Sequence, residues 1–524
     1  MNKKVKNNLL AGAALLAGVT SGLSLVSCFG SSNQKSTESN TSKATGSKSE
    51  FSQYINTLAD KHSDELNALK ARHEGYSKDK MVIISNKAEI AQKSKELIDL
   101  FNRLYGTNLS WEQYGQAVNY DETLSSKFSN GVNNVLLVGG ESKSVFERLG
   151  DKVVDTSAAK MLDNYSGPSD SIILGDKQFM PQVVETYGVI YNKNVFESKG
   201  MYVLEGKNFS ADAVEGVTLE KPADYNGVVQ AGDKYYIFSG DLSIAGYKKI
   251  VELLKEKGLK KPFFSTSKTP TGHVWPITNH AVNSAIVART IGSLKPGTAE
   301  HAKLLNDIQS NPEEVLKTDV ISSLRELSDI YGIDYAVSTA QVDAGMTQLA
   351  RGTFALAQNG TWAMEQIQKT DPNVKVGFLP LPIENVDNHK LSIYQGATQR
   401  WGATTLANDA AKLKTAKLFL QFLYQTKLGV DVLTNELGSP NPFEFEYKNK
   451  ESKNQLITSI QNYSNENKNV WAMSTFPTNF NNNSQILVTS ANQGFGLKSG
   501  ETVEQTREKL LNNWKELRKQ ETAK

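Results

Sequence analysis

A chain of 524 residues with a single cysteine, Cys28, can close no disulfide within itself. Whatever it folds into must be held by packed apolar cores, and its length supplies material for two. The position of that cysteine is equally constraining. It ends an apolar run that begins at Leu9 and follows Lys3, Lys4 and Lys6, with the small residue Ser27 immediately before it. A positive start, an apolar stretch short for a membrane span and a small residue at its end form the pattern of a secretory leader over residues 1–27.

Leu25-Val26-Ser27-Cys28 resembles the bacterial lipobox. The resemblance implies cleavage before Cys28, acylation of its thiol by chains such as palmitate, and a mature protein tethered at the extracellular face of the cell membrane. Each buried methylene of such an anchor adds about 0.8 kcal/mol. From Gly30 to Ser49 the chain is Ser, Thr, Asn, Gly and Lys, plus Gln34 and Glu38, with Ala44 as its one aliphatic residue, which makes 28–50 a flexible spacer. Without the three leader lysines, 55 basic residues face 56 acidic ones, a net charge of −1. That balance gives no call for nucleic acid or an anionic membrane face as a partner.

Residues 51–80 read as one amphipathic helix, with Ile55, Leu58, His62, Leu66 and Leu69 at helical spacing. Met81-Val82-Ile83-Ile84-Ser85 then reads as a buried strand. A helical stripe follows through Ile90, Leu97, Ile98, Phe101 and Leu104, and Val135-Leu136-Leu137-Val138 forms a second strand ending at Gly139-Gly140. Strand, helix and strand in this order predict an α/β domain with a parallel sheet. Helices are predicted over Ala410–Tyr424 and Glu504–Lys519.

Three stretches in this order resemble the extracellular solute-binding proteins of ABC importers, in the carbohydrate-binding, maltose-binding-protein-like branch. The first is Pro181 to Phe196, with its Tyr191-Asn192-Lys193 ending. The second is Met346 to Ile367, containing Asn359-Gly360-Thr361-Trp362 and leading to Val374–Pro382. The third is Gly396 to Tyr424, a glycine-bearing crossing with Trp401 ahead of an Ala-rich helix. Together they cover Met81 to Lys519.

The resemblance implies a two-lobed, periplasmic-binding-protein-like (Venus flytrap) α/β fold with discontinuous lobes. One lobe would hold 81–183 and 400–470, the other 184–399 and 471–519. Hinges are expected at Val183–Tyr187, Tyr394–Arg400 and Val470–Phe476. It implies capture of a small solute, a sugar or oligosaccharide, and delivery to permease subunits, with no cofactor and no catalysis. A surface lipoprotein serving adhesion or host interaction shares the same leader and fold, and an enzyme on this scaffold is a third reading.

Ligand-binding candidates follow from chemistry and from the resemblance. Trp362 at a strand-to-helix turn offers a flat face for the axial C–H groups of a sugar. Gly360 is expected to supply backbone angles closed to other residues there, with Asn359 beside it. Trp275, in Thr271-Gly272-His273-Val274-Trp275-Pro276, resembles the family's Trp-Pro segment at the cleft wall, although Pro270 and Gly272 stand where the branch has an acidic residue and a tyrosine. Glu185 and Tyr187 lie at the first crossing, where a carboxylate suits vicinal hydroxyls, and Trp401 lies at the second. Asn86, Lys87 and Glu141 follow the two first strands, at the ends where ligands of parallel sheets sit.

Signals for catalysis are poor. His62, His73, His273, His280, His301 and His389 include no helical His-Glu-X-X-His, and Gly494–Gly500 lacks phosphate-loop spacing. No Gly-X-Ser-X-Gly elbow is present. His273 and His280 are close enough in sequence to share a ligand, but isolated pairs of this kind usually face solvent or sit in cores.

Overall fold

The computed structural model describes residues 49–114, 120–130, 134–140, 145–146, 149–165, 172–174, 177–264, 276–291, 311–332, 342–385, 390–404, 409–438, 441–443, 452–466, 469–471 and 502–522. Its organising element is a ten-stranded sheet. Three strands at one end are parallel: Lys80–Ser85 lies between Asn108–Gln113 and Val135–Gly140. The strand Ile393–Thr404 then joins antiparallel to Val135–Gly140, and Pro181–Asn192 joins antiparallel to it. Leu356–Gly360 and Val376–Leu379 both pair with Pro181–Asn192, again antiparallel. The sheet is therefore mixed: beyond its parallel first part, two twelve-residue antiparallel strands carry the chain across. Short parallel pairs recur at Phe263–Phe264 with Leu356–Gly360 and at Asn469–Trp471 with Ile393–Thr404.

Those two strands run from one apolar core to another. Met180 and Trp401 belong to the first core, with Ile83, Leu97, Phe101 and Phe419. Tyr187 and Tyr394 belong to the second, with Tyr247, Leu324, Leu356 and Trp514.

The helix Ala91–Tyr105 buries Leu97, Ile98 and Phe101 in the first core, as its stripe predicts, with Tyr105 added and Leu104 only partly buried. It stops at Gly106, whose φ of +67° is the left-handed conformation that closes many helices. The Ala410–Gln425 and Val503–Thr522 helices also stand where their periodicity places them.

Two expectations need correction. The 51–80 segment is two helices, Glu50–Lys61 and Ser63–Arg72, broken at His62 where φ falls to −114°. Both pack on the first core through Ile55, Ala59, Leu66 and Leu69. The helix Gln455–Asn465, expected in the first lobe, instead places Leu456, Ile460 and Tyr463 against Val376 and Phe378. Its phenol Tyr463 donates to the Phe378 carbonyl at 2.9 Å, which fixes it to the second half of the sheet.

The Tyr191-Asn192-Lys193 ending has a structural account. Asn192 caps the Lys193–Ser198 helix by accepting from Val195 N–H at 3.0 Å, while its amide donates to Leu349 O at 2.8 Å. Tyr191 donates to the carboxylate of Glu205 at 2.9 Å, and Lys193 bridges the same carboxylate at 3.0 Å.

Candidate functional site

The site is built where the two long strands cross. Their register sets Tyr187 opposite Tyr394 and Glu185 opposite Gly396, with irregular pairing from Ala397 to Arg400. A third segment, Asn469–Trp471, pairs in parallel with Ile393–Thr404, so that Val470 lies opposite Tyr394. The expected crossing Val470–Phe476 is described only as far as Trp471.

On the strand Pro181–Asn192, alternation puts Glu185 and Tyr187 on the same face. Lys87, in the loop directly after the strand Lys80–Ser85, reaches Glu185 in a close ion pair, and its ammonium also lies 3.3 Å from Glu89. Both partners are buried, at 6 % exposure for Lys87 and 7 % for Glu185. Buried charges persist in such a place only when paired and hydrogen-bonded. Asn86, beside Lys87, keeps its Oδ1 buried with no hydrogen-bond partner among the described residues.

Tyr187 carries the site from polar to aromatic. Its ring stacks on His280 with centroids 4.0 Å apart and planes 14° from parallel. Tyr394 stacks beyond it at 6.1 Å, and Ser284 donates to the Tyr187 hydroxyl at 3.4 Å. His280 in turn meets Trp362 edge-on, at 5.5 Å and 70°. Burial lowers the His280 pKa from 6.5 to about 4, against the opposing pull of the Glu185 charge, so the imidazole is neutral at pH 7. Burial likewise pushes the Tyr187 phenol up.

Backbone ties bring His280 and Trp362 together. His280 lies on a π-turn, Pro276–Ala281, ahead of the Val282–Ile286 helix. Gln358, on the strand that leads to Trp362, donates to Pro276 O at 2.6 Å and accepts from the Tyr331 hydroxyl at 2.8 Å. Trp362 itself lies on a short 3₁₀ turn, Thr361–Ala363, half-buried against the second core. The reason for Gly360 differs from the expected one. Its φ of −125° is ordinary extended backbone, but a Cβ there would stand 2.0 Å from Trp362 Cζ3. The glycine is needed for space.

The next helix, Met364–Thr370, carries Glu365, whose carboxyl is pushed up chiefly by burial. Glu89 and Glu436 add to that rise, and Lys93 and Lys369 oppose it.

Glu185, Tyr187 and Trp362 are thus brought to one place, but Tyr187, at 1 % exposure and covered by His280, backs the site and has no face open to a ligand. Asn359 is adjacent but occupied: its Oδ1 accepts from the N–H of Gly360 at 2.8 Å, and the residue is 1 % exposed. Trp401 departs from its expected role. It lies in the first core at 1 % exposure, with its N–H donating to Tyr424 Oη at 2.7 Å, which leaves no face for a ligand. Cys28, Trp275, His273 and Glu141 lie outside the described residues. Two members of the cluster escape sequence reasoning, Gln358 and the aromatic role of His280; a lone histidine carries no signal of the rings that fold against it.

Among the described residues no group of three or more His, Cys, Asp or Glu side chains is placed to hold a metal ion. No described helix is long and apolar enough to cross a membrane.

Comparison with known proteins places this geometry. A family model described as bacterial extracellular solute-binding protein matches residues 96–438. Among solved structures, a chitin oligosaccharide binding protein superimposes with a TM-score of 0.55 at 15% identity, over 84% of this chain and 98% of its own. A solute-binding protein in complex with raffinose gives 0.53 at 13% identity, over 82% and 98%. A sugar transporter protein from Bacillus licheniformis in complex with stachyose gives 0.52 at 14% identity, over 84% and 100%. At these identities the structural likeness shows the fold, a two-lobed mixed α/β arrangement. No curated protein matched by sequence.

Proposed function

The chain belongs to the bacterial extracellular solute-binding protein family, and from that premise we propose that it captures a carbohydrate between two lobes and delivers it to the permease of an ABC importer. The family is one of binding proteins, and ligand capture needs no catalytic step. In this reading the first lobe is 81–183 with 400–438, the second is 184–399 with the Gln455–Asn465 helix and the chain to Lys519, and the crossing strands are the hinge. Ligand contacts both lobes only when they close on it, so binding shifts the population toward the closed form, which the permease recognises. Cys28, acylated after cleavage of residues 1–27, tethers the protein at the outer face of the membrane through the 28–50 spacer.

The observation that carries the reading is the pairing of two chemistries at the crossing. The buried Lys87–Glu185 pair offers charged groups to hydroxyls, and the half-buried Trp362, backed by the enclosed His280 and Tyr187, offers an aromatic surface beside it. Polar groups that fix orientation, set against apolar faces, are what a carbohydrate requires. The sugars named for the structural neighbours make stachyose, raffinose and a chitin oligosaccharide the first probes. Calorimetry should show saturable binding of at least one of them, with a more compact scattering profile in the bound state. Saturable binding of a nucleoside or peptide, with none of a sugar, overturns the carbohydrate assignment. Cys28→Ser should release the protein from membranes and abolish incorporation of labelled fatty acid; a mutant that stays bound and labelled removes the anchor.

A further inference from the structure

Resting on the carbohydrate reading of the crossing, we propose that His280 is a positioning residue, whose ring holds Trp362 at the angle in which its indole serves a ligand.

The stacked rings differ in how their backbones hold them. Tyr394 and Tyr187 are 0 % and 1 % exposed, they stack on one another, and they sit on neighbouring strands whose register fixes both. Tyr187 is held further by Ser284 at its hydroxyl. Trp362 is different. It is half-buried, on a 3₁₀ turn of three residues, with the bare backbone of Gly360 beneath its six-membered ring. The indole rests on that backbone, which forms its first wall. His280 supplies the second wall: its ring stands between the immobile Tyr187 and the indole, parallel to the first and edge-on to the second. Aromatic pairs in these geometries are favoured over face-to-face contact and fix orientation as well as distance.

The backbone is shaped for this contact. A π-turn is uncommon, and its extra residue per turn shifts the side chains that follow it out of α-helical register. Here that turn is Pro276–Ala281, with His280 near its end and Gln358 pinning its first carbonyl. Gln358 is also on the strand that ends at Gly360, so one side chain sets the distance between the segment carrying His280 and the one carrying Trp362. His280 therefore acts on the ligand through Trp362.

The test separates this role from general packing and from failure of the carbohydrate reading. Stachyose affinity is measured for the wild type, His280→Ala, His280→Phe and His280→Leu. The emission and anisotropy of Trp362 are measured without ligand, by subtracting Trp362→Phe in each background. Loosening a desolvated aromatic anchor is expected to weaken stachyose about tenfold or more in His280→Ala, with His280→Phe returning to within about threefold of the wild type. In the unliganded protein Trp362 should become more mobile in His280→Ala and not in His280→Phe. If the alanine variant does not fold, His280→Leu, which fills the volume without a flat ring, must show the same loss. Unchanged affinity and unchanged Trp362 anisotropy in the alanine or leucine variant overturn the proposal. If the wild type binds no stachyose, that assignment fails separately, and the anisotropy decides the positioning role alone: increased mobility upholds it, unchanged mobility ends it.

Discussion

The indole of Trp362 lies back over Gly360, so close that a Cβ on the glycine would fall 2.0 Å from Cζ3 and 2.2 Å from Cη2. Gly360→Ala therefore displaces the ring without straining the backbone, since φ is −125°. The expected result is a shift in Trp362 emission, weaker sugar binding and a stability loss of about 1–3 kcal/mol, the usual range for overpacking. Denaturant titration with calorimetry on the same samples checks it. An alanine variant with wild-type affinity would show that the indole tolerates relocation and does not meet the ligand.

Lys87 and Glu185 lie 98 positions apart in sequence and meet as a buried pair. Removing Lys87 takes the close counter-charge from buried Glu185, so Lys87→Met should cost about 3–5 kcal/mol, and Glu185→Gln less, because Glu89 stays 3.3 Å from the Lys87 ammonium. The double variant should cost much less than the two single losses together, because no charge is stranded. A urea-denaturation cycle on the four proteins measures the coupling. Additive losses would mean that the two groups do not interact in solution.

What the sequence made legible follows from the range of each signal. Leu97, Ile98 and Phe101 announce their helix because helical spacing is local, and the valines and leucines of Val135–Val138 announce a strand for the same reason. The break at His62 was hidden because Ile55, Ala59, Leu66 and Leu69 keep one helical spacing across it. At the crossing, Glu185 and Tyr187 could be picked by chemistry and resemblance, but their partners Lys87 and His280 come from distant segments, and periodicity carries nothing about such pairs. Trp401 shows the converse. An aromatic residue in a glycine-bearing crossing looks like a ligand platform until Tyr424 is seen to take its N–H.

His280 makes folding pH-dependent with a definite sign. Its pKa falls from 6.5 to about 4 on folding, so between those values the unfolded chain binds a proton that the native protein refuses. Stability contributed by the neutral ring is intact above pH 6.5 and is lost progressively as pH falls toward about 4, by about 3 kcal/mol in all. Glu185 and Tyr187 of the crossing strand and the Trp362 ring face His280, and Lys87 balances the Glu185 charge. His280→Phe should flatten this segment of the stability–pH curve in urea titrations at a series of pH values. A curve unchanged by the substitution would assign the acid sensitivity to other groups.

Two tryptophans give the sharpest separation of site from core. Trp401 is fully enclosed; its N–H donates to Tyr424 Oη at 2.7 Å, and that hydroxyl donates onward to Gln182 O at 2.6 Å, a chain tying the Ala410–Gln425 helix to both crossing strands. Trp401→Ala leaves a large cavity and removes the donor to the Tyr424 hydroxyl, which keeps its own bond to Gln182 O, so it should cost about 3–5 kcal/mol. Its effect on ligand affinity in the folded fraction should be small, because the ring has no surface to offer. Trp362 is half-buried, and Trp362→Ala should reverse the balance: a modest fall in apo melting temperature, with sugar binding weakened by roughly two orders of magnitude, as when an aromatic anchor is truncated. Thermal unfolding without ligand and calorimetry below the melting range read the two effects independently. A Trp362→Ala protein that loses stability like Trp401→Ala and keeps its affinity would move Trp362 into the core and leave the crossing without its aromatic face.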